Sequence, residues 1–263
     1  LKIPTFHFEA GNRCYDERVP EEINRRIIDH IADVNLTYSE PSKYNLIREG
    51  IDPSRIFKIG SPLYEVLSAN ESKIENSKIL KKLKLNKNSY YLLSLHREEN
   101  LELSDNFKIL FKNLNNFSIK QKKKIIFSLH PRTLKNLKSK KIKLSKYFRF
   151  LKPLNFHDYI KLQKNAEITL SDSGSISEEA YMLKIKAINL RETHERHEAM
   201  ENSAVPMCGI EDNFDKIVAF VKQKNLKIDN KLLDYLDENV SDKVVNIIIS
   251  YINFVNKNVW KKN

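Results

Sequence analysis

The run Leu170-Ser-Asp-Ser-Gly-Ser-Ile-Ser-Glu-Glu-Ala180 carries the strongest chemical signature in this chain. Small polar residues surround a glycine, and two acids follow at the start of a helical pattern. The unpaired N–H groups of a first helical turn point at an anion, and the helix dipole adds partial positive charge. Gly174 admits a phosphate close to the backbone. Glu178 or Glu179, about one turn deeper, is placed to accept hydrogen bonds from ribose hydroxyls. A nucleotide or nucleotide sugar is the expected ligand; the bland alternative is a serine-capped helix after a strand. Four more clusters of charged or titratable residues are Glu9-Ala-Gly-Asn-Arg13, His96-Arg-Glu-Glu99, His130-Pro-Arg132 and Arg191-Glu-Thr-His-Glu-Arg-His197. Each follows a predicted strand, and open parallel sheets bind ligands at that edge. Five such loops together point to a ligand site.

The elements that position these loops alternate, strand then helix, which predicts parallel sheets. Thr5–Phe8 reads as a strand. Pro20 sits at a first helical position with Glu21 and Glu22 behind it, and Ile23, Ile27, Ile28 and Ile31 recur at helical spacing. Val34–Tyr38 and Arg55–Ile59 are further strands, with a helix over Ser42–Glu49 that Gly50 stops. Leu63–Leu85 reads as a helical connection. A second series then has strands at Tyr90–Leu95, Lys124–Leu129, Phe148–Leu151, Glu167–Leu170 and Lys186–Leu190, with Val205–Cys208 as a sixth. Its helices lie near Leu101–Leu114, Thr133–Leu137, Phe156–Gln163, Ser175–Leu183 and Asp215–Lys222. Ser241–Trp260 is a long amphipathic helix.

The expected fold is α/β, with two Rossmann-like doubly wound domains, the first incomplete. Residues 1–62 form part of the first domain, 63–240 the second, and 241–263 a helix returning to the first. About three strands precede the second domain where about six are usual, and the chain opens on Leu. The expectation is a fragment lacking about a hundred upstream residues.

Composition narrows the function classes. The chain has 263 residues, 41% of them hydrophobic, enough for a substantial core. No apolar run approaches the ~20 residues of a membrane span, and the first residues lack a signal-peptide pattern. Cys14 and Cys208 lie far apart without metal-type spacing, which fits a reduced, cytoplasmic protein. The formal charge of +12 sits mainly on lysines mixed with Asn, Leu and Ile, which read as solvated helix faces. That argues against a nucleic-acid partner, whereas an anionic substrate benefits from the field.

Several motifs resemble the non-hydrolysing UDP-N-acetylglucosamine 2-epimerases. They are His7-Phe-Glu-Ala-Gly-Asn-Arg13, Pro20-Glu-Glu-Ile-Asn-Arg25, Ser94-Leu-His-Arg-Glu98, Ser171-Asp-Ser-Gly174 with Glu178-Glu179, and Arg191 to Glu198. Finer details resemble a branch acting on 6-deoxy sugars, the UDP-N-acetyl-L-fucosamine synthases. These are Gly11-Asn-Arg-Cys-Tyr-Asp-Glu-Arg-Val-Pro-Glu-Glu22, Leu129-His-Pro-Arg-Thr133 and Leu151-Lys-Pro-Leu154.

The resemblance implies a fold like that of GT-B glycosyltransferases, with substrate in the interdomain cleft, and it points to a homodimer. The implied reaction inverts C2 of a UDP-2-acetamido sugar by eliminating UDP to a glycal and adding it back, with no metal or nicotinamide cofactor. C2–H is a weak acid, so a partly desolvated carboxylate must sit close. By resemblance Glu9 and Glu21 are catalytic, and His96 stabilises the departing UDP. Arg13 holds sugar or phosphate, since guanidinium pairs with phosphate oxygens. Ser173, Gly174 and the Ser175 amide hold the diphosphate, Glu179 the ribose, and Arg196 is a basic partner. Tyr159, or Phe156 beside it, flanks uracil. Two positions depart from the family: Ser175 replaces a frequent glycine, and His197 a common proline. The family's first strand-loop, with its basic and acidic catalytic partners, is also absent, so the chain alone is expected to bind nucleotide without turnover. A GT-B glycosyltransferase, a non-catalytic UDP-sugar binder and a basic nucleic-acid binder are the competing readings.

Overall fold

A computed structural model describes residues 2–95, 104–129, 133, 135, 137, 139–140, 142–202, 205–209, 212–223 and 232–262, the side chains of 104 and 105 excepted. The chain divides into two compact units. Unit 1 comprises 1–68, 193–198 and 229–263; unit 2 comprises 69–192 and 199–228.

Unit 1 is built on a three-stranded parallel sheet in the order β1-β2-β3, where β1 is Phe6–Phe8, β2 Val34–Thr37 and β3 Ile56–Lys58. Register pairs His7 with Asn35, and Leu36 with Phe57. Helix α1 (Pro20–Ile31) joins β1 to β2, and α2 (Glu40–Arg48) joins β2 to β3. Pro20 starts α1, as its fixed φ and missing N–H allow. The periodic isoleucines, however, are not the buried face of α1. Ile23, Ile27, Ile28 and Ile31 are exposed, while Glu22 and Asp29 are buried. Those two carboxylates hold the loop between β1 and α1, and that requirement overrides the apolar pattern. Ser39 caps α2 by accepting from the Ser42 N–H.

The Leu63–Leu85 stretch resolves into three short helices, Leu63–Ala69 (α3), Glu71–Glu75 (α4) and Ile79–Leu83 (α5). Asn70 and Asn76 interrupt it, and Lys84 ends it in the left-handed region at φ 51°. Near the end of the chain, α11 (Val240–Phe254) and a π-helical turn (Val255–Val259) pack on the unit 1 sheet. Val240, Val244 and Val255 join Val34, Leu36 and Ile59 in one cluster, each burial contributing about 1.5 kcal/mol or more.

Unit 2 is a five-stranded parallel sheet. Its strands are β4 (Tyr90–Leu95), β5 (Lys124–Leu129), β6 (Phe148–Leu151), β7 (Ile168–Ser171) and β8 (Ala187–Asn189). They lie in the order β6-β5-β4-β7-β8. Helices α6 (Ser104–Gln121), α7 (Phe156–Asn165), α8 (Ile176–Leu183), α9 (His197–Glu201) and α10 (Phe214–Gln223) accompany it, with α9 beginning in the unit 1 segment. β4 and β5 are apolar and buried over Tyr90–Leu93 and Ile125–Phe127, as expected of strands covered on both faces. Tyr91, Leu93 and Phe127 face a core with Phe107 and Phe111, and Tyr90, Leu92 and Ile126 face a second with Leu83 and Leu162. The buried Tyr90 hydroxyl is satisfied by the Leu162 carbonyl at 2.6 Å. Val205–Cys208 is not a strand. It makes one isolated bridge, Met207 to Asn189, because Pro206 and Gly209 flank the contact and keep a ladder from forming. The helix expected over Thr133–Leu137 lies partly outside the described residues.

Strand order reverses direction between β4 and β7, the topological switch point where open parallel sheets leave a crevice at their carboxyl ends. Ser94 and Ser171 pair there.

Candidate active site

The turn from β7 into α8 begins with Asp172, which is fully buried and whose N–H donates to the Ser94 carbonyl at 3.3 Å. Ser173 N–H donates to Ser171 Oγ at 3.1 Å, and the Ser175 amide to Ser173 Oγ at 3.3 Å. The two hydroxyls of Ser173 and Ser175 lie 2.8 Å apart. Ser175 takes an ordinary conformation, φ −73° and ψ −12°. The turn is therefore made by serine without strain. Ser175 is the N-cap of α8, but its side chain caps no backbone amide. It donates instead to Glu179 Oε1 at 2.8 Å.

Glu179 is fixed from both sides, since Gln163 Nε2 donates to its Oε2 at 2.5 Å. Glu178, one residue earlier, is buried, so of the two acids it is Glu179 that belongs to the serine turn. Tyr159, half-buried on α7, hydrogen-bonds Ser94 at the end of β4. Burial pushes its phenol up, and the nearby Glu179 carboxylate adds to the effect. Tyr159 also packs on the Tyr90–Leu92 core, while Phe156 is 38% exposed and meets His157 edge-on. Ser173, Gly174, Ser175, Glu179 and Tyr159 thus share one end of the unit 2 sheet. His96 and the His130-Pro-Arg132 loop lie outside the described residues.

In unit 1 the loop after β1 is tightly determined. Glu9 adopts φ 60°, and Gly11 follows at φ 78°. The left-handed region is costly for a glutamate and persists where neighbours over-determine it. Here the Ala10 N–H donates to the Leu36 carbonyl at 3.2 Å, and the Gly11 N–H to Asp29 Oδ2 at 3.2 Å. Glu9 Oε1 accepts from Asn12 Nδ2 at 3.1 Å and from Arg196 Nη2 at 2.7 Å. The Glu9 side chain remains 43% exposed, whereas that of Arg196 is 5% exposed. Arg196 also lies over the Tyr38 ring at 5.7 Å.

Arg13, expected at the substrate, is instead fully buried among carboxylates. Its Nη1 pairs with Asp29 Oδ2 at 2.7 Å, and Nε and Nη2 grip Glu49 at 2.8 and 2.6 Å. Burial opposes the guanidinium charge, but the bonds to Glu49 and Asp29 outweigh it and hold its pKa above the ordinary value. The same fork holds Glu49 below the usual carboxylate range. His7 Nδ1 meets Asp29 Oδ1 at 2.8 Å. Glu21 is exposed at the first turn of α1, and it is Glu22 that turns inward, accepting the Cys14 N–H at 2.9 Å and the Tyr15 N–H at 3.3 Å. His197 stacks on Tyr15, with ring centroids 6.0 Å apart and nearly parallel planes. Glu198 accepts from the Tyr235 hydroxyl at 2.7 Å.

Among the expected site residues of unit 1, Glu9 and Arg196 are brought into contact, and Arg13 secures the same loop through Asp29. Sequence reasoning missed Asn12, Asp29 and Gln163, which hold the acids in place. Asp29 carried the one available signal, a lone acid beside the apolar stripe of α1. Among the described residues no helix is long and apolar enough to cross a membrane, and no group of three or more His, Cys, Asp and Glu residues is arranged to hold a metal ion.

Comparison with known proteins relates this geometry to a family. The family model described as UDP-N-acetylglucosamine 2-epimerase matches residues 1–249. The UDP-N-acetylglucosamine 2-epimerase of Methanocaldococcus jannaschii is 37% identical over 229 residues, covering 84% of this chain and 62% of its own length. The structure of UDP-N-acetylglucosamine 2-epimerase from Rickettsia bellii matches with a TM-score of 0.89 at 41% identity, over 98% of this chain and 70% of that one. The M. jannaschii UDP-GlcNAc 2-epimerase in complex with UDP-GlcNAc and UDP matches with a TM-score of 0.86 at 33% identity, over 93% of this chain and 68% of that one. The two parallel sheets are thus those of these structures over about 70% of their length, and the chain spans somewhat under two thirds of the first relative. On the match of its sequence and of its fold, the chain belongs to the UDP-N-acetylglucosamine 2-epimerase family.

Proposed function

We propose that the protein to which this chain belongs inverts C2 of a UDP-2-acetamido sugar. Unit 2 supplies the nucleotide site: Ser173, Gly174 and the Ser175 amide take the diphosphate, the Ser175 N–H exchanging its 3.3 Å bond to Ser173 Oγ for a phosphate oxygen, with Glu179 at the ribose and Tyr159 or Phe156 at the uracil. Unit 1 supplies proton transfer at C2, with Glu9 as a base. Glu9 takes the C2 proton, the C–H electrons form the C1=C2 bond, and the C1–O bond breaks to release UDP. In the return step a proton reaches C2 from the opposite face, and UDP adds back at C1. Inversion requires a group on each ring face, and Glu21 is the second carboxylate assigned to it. His96 is assigned to the departing UDP. Arg13, whose donors Asp29 and Glu49 occupy, acts by holding the Glu9 loop.

The observation that carries this reading is the Glu9 carboxylate, partly exposed yet tethered by one oxygen to Asn12 and Arg196. The Gly11–Glu22 and Leu129–Thr133 segments favour a 6-deoxy sugar over UDP-GlcNAc. Proton NMR in D2O with UDP-GlcNAc, and with UDP-2-acetamido-2,6-dideoxy-L-talose, tests both levels. Deuterium entering C2 together with the epimer supports the reaction, and the faster sugar identifies the branch. UDP binding without C2 exchange from either sugar sinks the epimerase reading and favours a transferase.

A further inference from the structure

We infer that Asn12 is a positioning residue for the reaction, one that fixes the Glu9 carboxylate by a single oxygen so that the other is presented to substrate. The inference rests on the epimerase reading for its catalytic consequence but not for its geometry. Asn12 is 1% exposed. Both ends of its amide are used: Nδ2 donates to Glu9 Oε1 at 3.1 Å, and Oδ1 accepts from Ser42 Oγ at 2.6 Å. The orientation follows from chemistry, because an ionised carboxylate only accepts and must face the amide N–H. Ser42 Oγ in turn lies 3.1 Å from Ser39 Oγ at the start of α2. The Asn12 carbonyl accepts from Arg13 Nη1 at 2.8 Å and from Arg25 Nη1 at 3.5 Å. Asn12 is therefore held by its main chain and its Oδ1, and its Nδ2 is turned to Glu9.

Glu9 Oε1 receives two donors, from Asn12 and from Arg196. Among the described residues no hydrogen bond is made to Oε2. One tether would let the side chain swing between rotamers; two donors converging on one oxygen hold it in one rotamer and leave Oε2 for substrate. Hydrogen bonds to an ionised acceptor are stronger than neutral ones. Misplacing a reacting atom by about an ångström costs on the order of a hundredfold in rate. Asn12→Asp keeps the side-chain shape and the Ser42 bond but removes the donor and sets a like charge beside Glu9.

The test uses the full-length protein and reads two quantities: steady-state C2 exchange in D2O of the faster of UDP-GlcNAc and UDP-2-acetamido-2,6-dideoxy-L-talose, and the χ1-defining scalar couplings of Glu9. Asn12→Asp and Asn12→Ala are expected to lower kcat about tenfold or more, with KM within about twofold of the parent. The Glu9 couplings are expected to pass from one rotamer to an average. Asn45→Ala is the control, since Asn45 Nδ2 holds the same loop through the Gly11 carbonyl at 3.0 Å without touching Glu9. It loosens the loop without removing a donor from Glu9, so it should lower kcat less than the Asn12 variants and keep the couplings. Equal losses in Asn45→Ala, or Glu9 couplings unchanged in the Asn12 variants, overturn the positioning role. If the parent protein exchanges no C2 proton of either UDP-GlcNAc or UDP-2-acetamido-2,6-dideoxy-L-talose, the epimerase reading falls, and the couplings decide the role of Asn12 alone.

Discussion

Substituting Gly11 probes how the Glu9 loop is seated against its neighbours. Gly11 has φ 78°, and a Cβ there would lie 2.8 Å from the Ser42 carbonyl carbon and 3.0 Å from Leu46 Cγ, overlapping the Ser42 oxygen. Gly50 has a similar φ, 85°, with open space around the same position. Alanine at Gly50 meets only the left-handed backbone penalty, about 1 kcal/mol. Alanine at Gly11 meets that penalty and an overpacking cost of about 1–3 kcal/mol, because it strikes the main chain of α2. The expected losses are then about 1 kcal/mol for Gly50→Ala and about 2–4 kcal/mol for Gly11→Ala. Trp260, the one tryptophan, packs in unit 1 and donates Nε1–H to Asp33 Oδ1 at 2.9 Å. Its fluorescence in urea therefore follows the unfolding of that unit. With a slope of about 1.5 kcal/mol/M, the midpoints should fall by about 0.7 M for Gly50→Ala and by about 1.3–2.7 M for Gly11→Ala. Equal midpoints would refute the close approach of Gly11 to α2, and with it the seating assigned to the loop.

Three further outcomes are expected. Arg196→Met removes the second donor to Glu9 and should lower C2 exchange about tenfold or more, and exchange at the parent rate would refute the role of that donor. Lys161 and then Lys164 hold Glu75 down from 4.5 to about 2. A depressed folded pKa means that this contribution is present above pH 4.5 and lost as pH falls toward about 2. Because the Glu75 side chain is 46% exposed, it is worth at most about 1 kcal/mol, and Glu75→Gln should flatten acid unfolding only within that window. Burial, with Asp212 adding, pushes the Cys208 thiol up to about 12, and Cys14 is buried and raised too. Neither should react with a disulfide reagent at pH 7 until the protein unfolds, and fast labelling of the folded protein would contradict the packing.

Strands β4, β5 and β6 are legible residue for residue in the sequence: β4 and β5 are mostly apolar segments, and β6 alternates Phe148 and Phe150 around Arg149, with polar loops between them. Pro20 and Gly50 punctuate unit 1 as their backbone preferences dictate. The serine turn is legible as well, with its chemistry concentrated in a few adjacent residues. What local pattern cannot convey is which face of α1 turns inward. Four isoleucines at helical spacing lie outward because Glu22 and Asp29, on the other face, are needed to bind loop amides and Arg13. Nor can spacing reveal that Arg196 reaches Glu9, 187 positions away. Arg13 shows the converse: a guanidinium beside a candidate acid reads as a phosphate ligand until its carboxylate partners are seen.

Unit 1 is drawn from three separated stretches of chain, and this has a consequence for biosynthesis. Leu36 of β2 leaves the ribosome roughly 200 residues before Val240 and Val244 of α11, which cover it in the finished core. At about 5–20 residues per second the delay is about 10–40 s. The core of unit 2, from Tyr91 to Val221, is synthesised within that interval. The order of folding is thus inverted relative to the order of translation, with the middle of the nascent chain maturing first. Until α11 emerges, a half-covered β2 is the segment most in need of a chaperone.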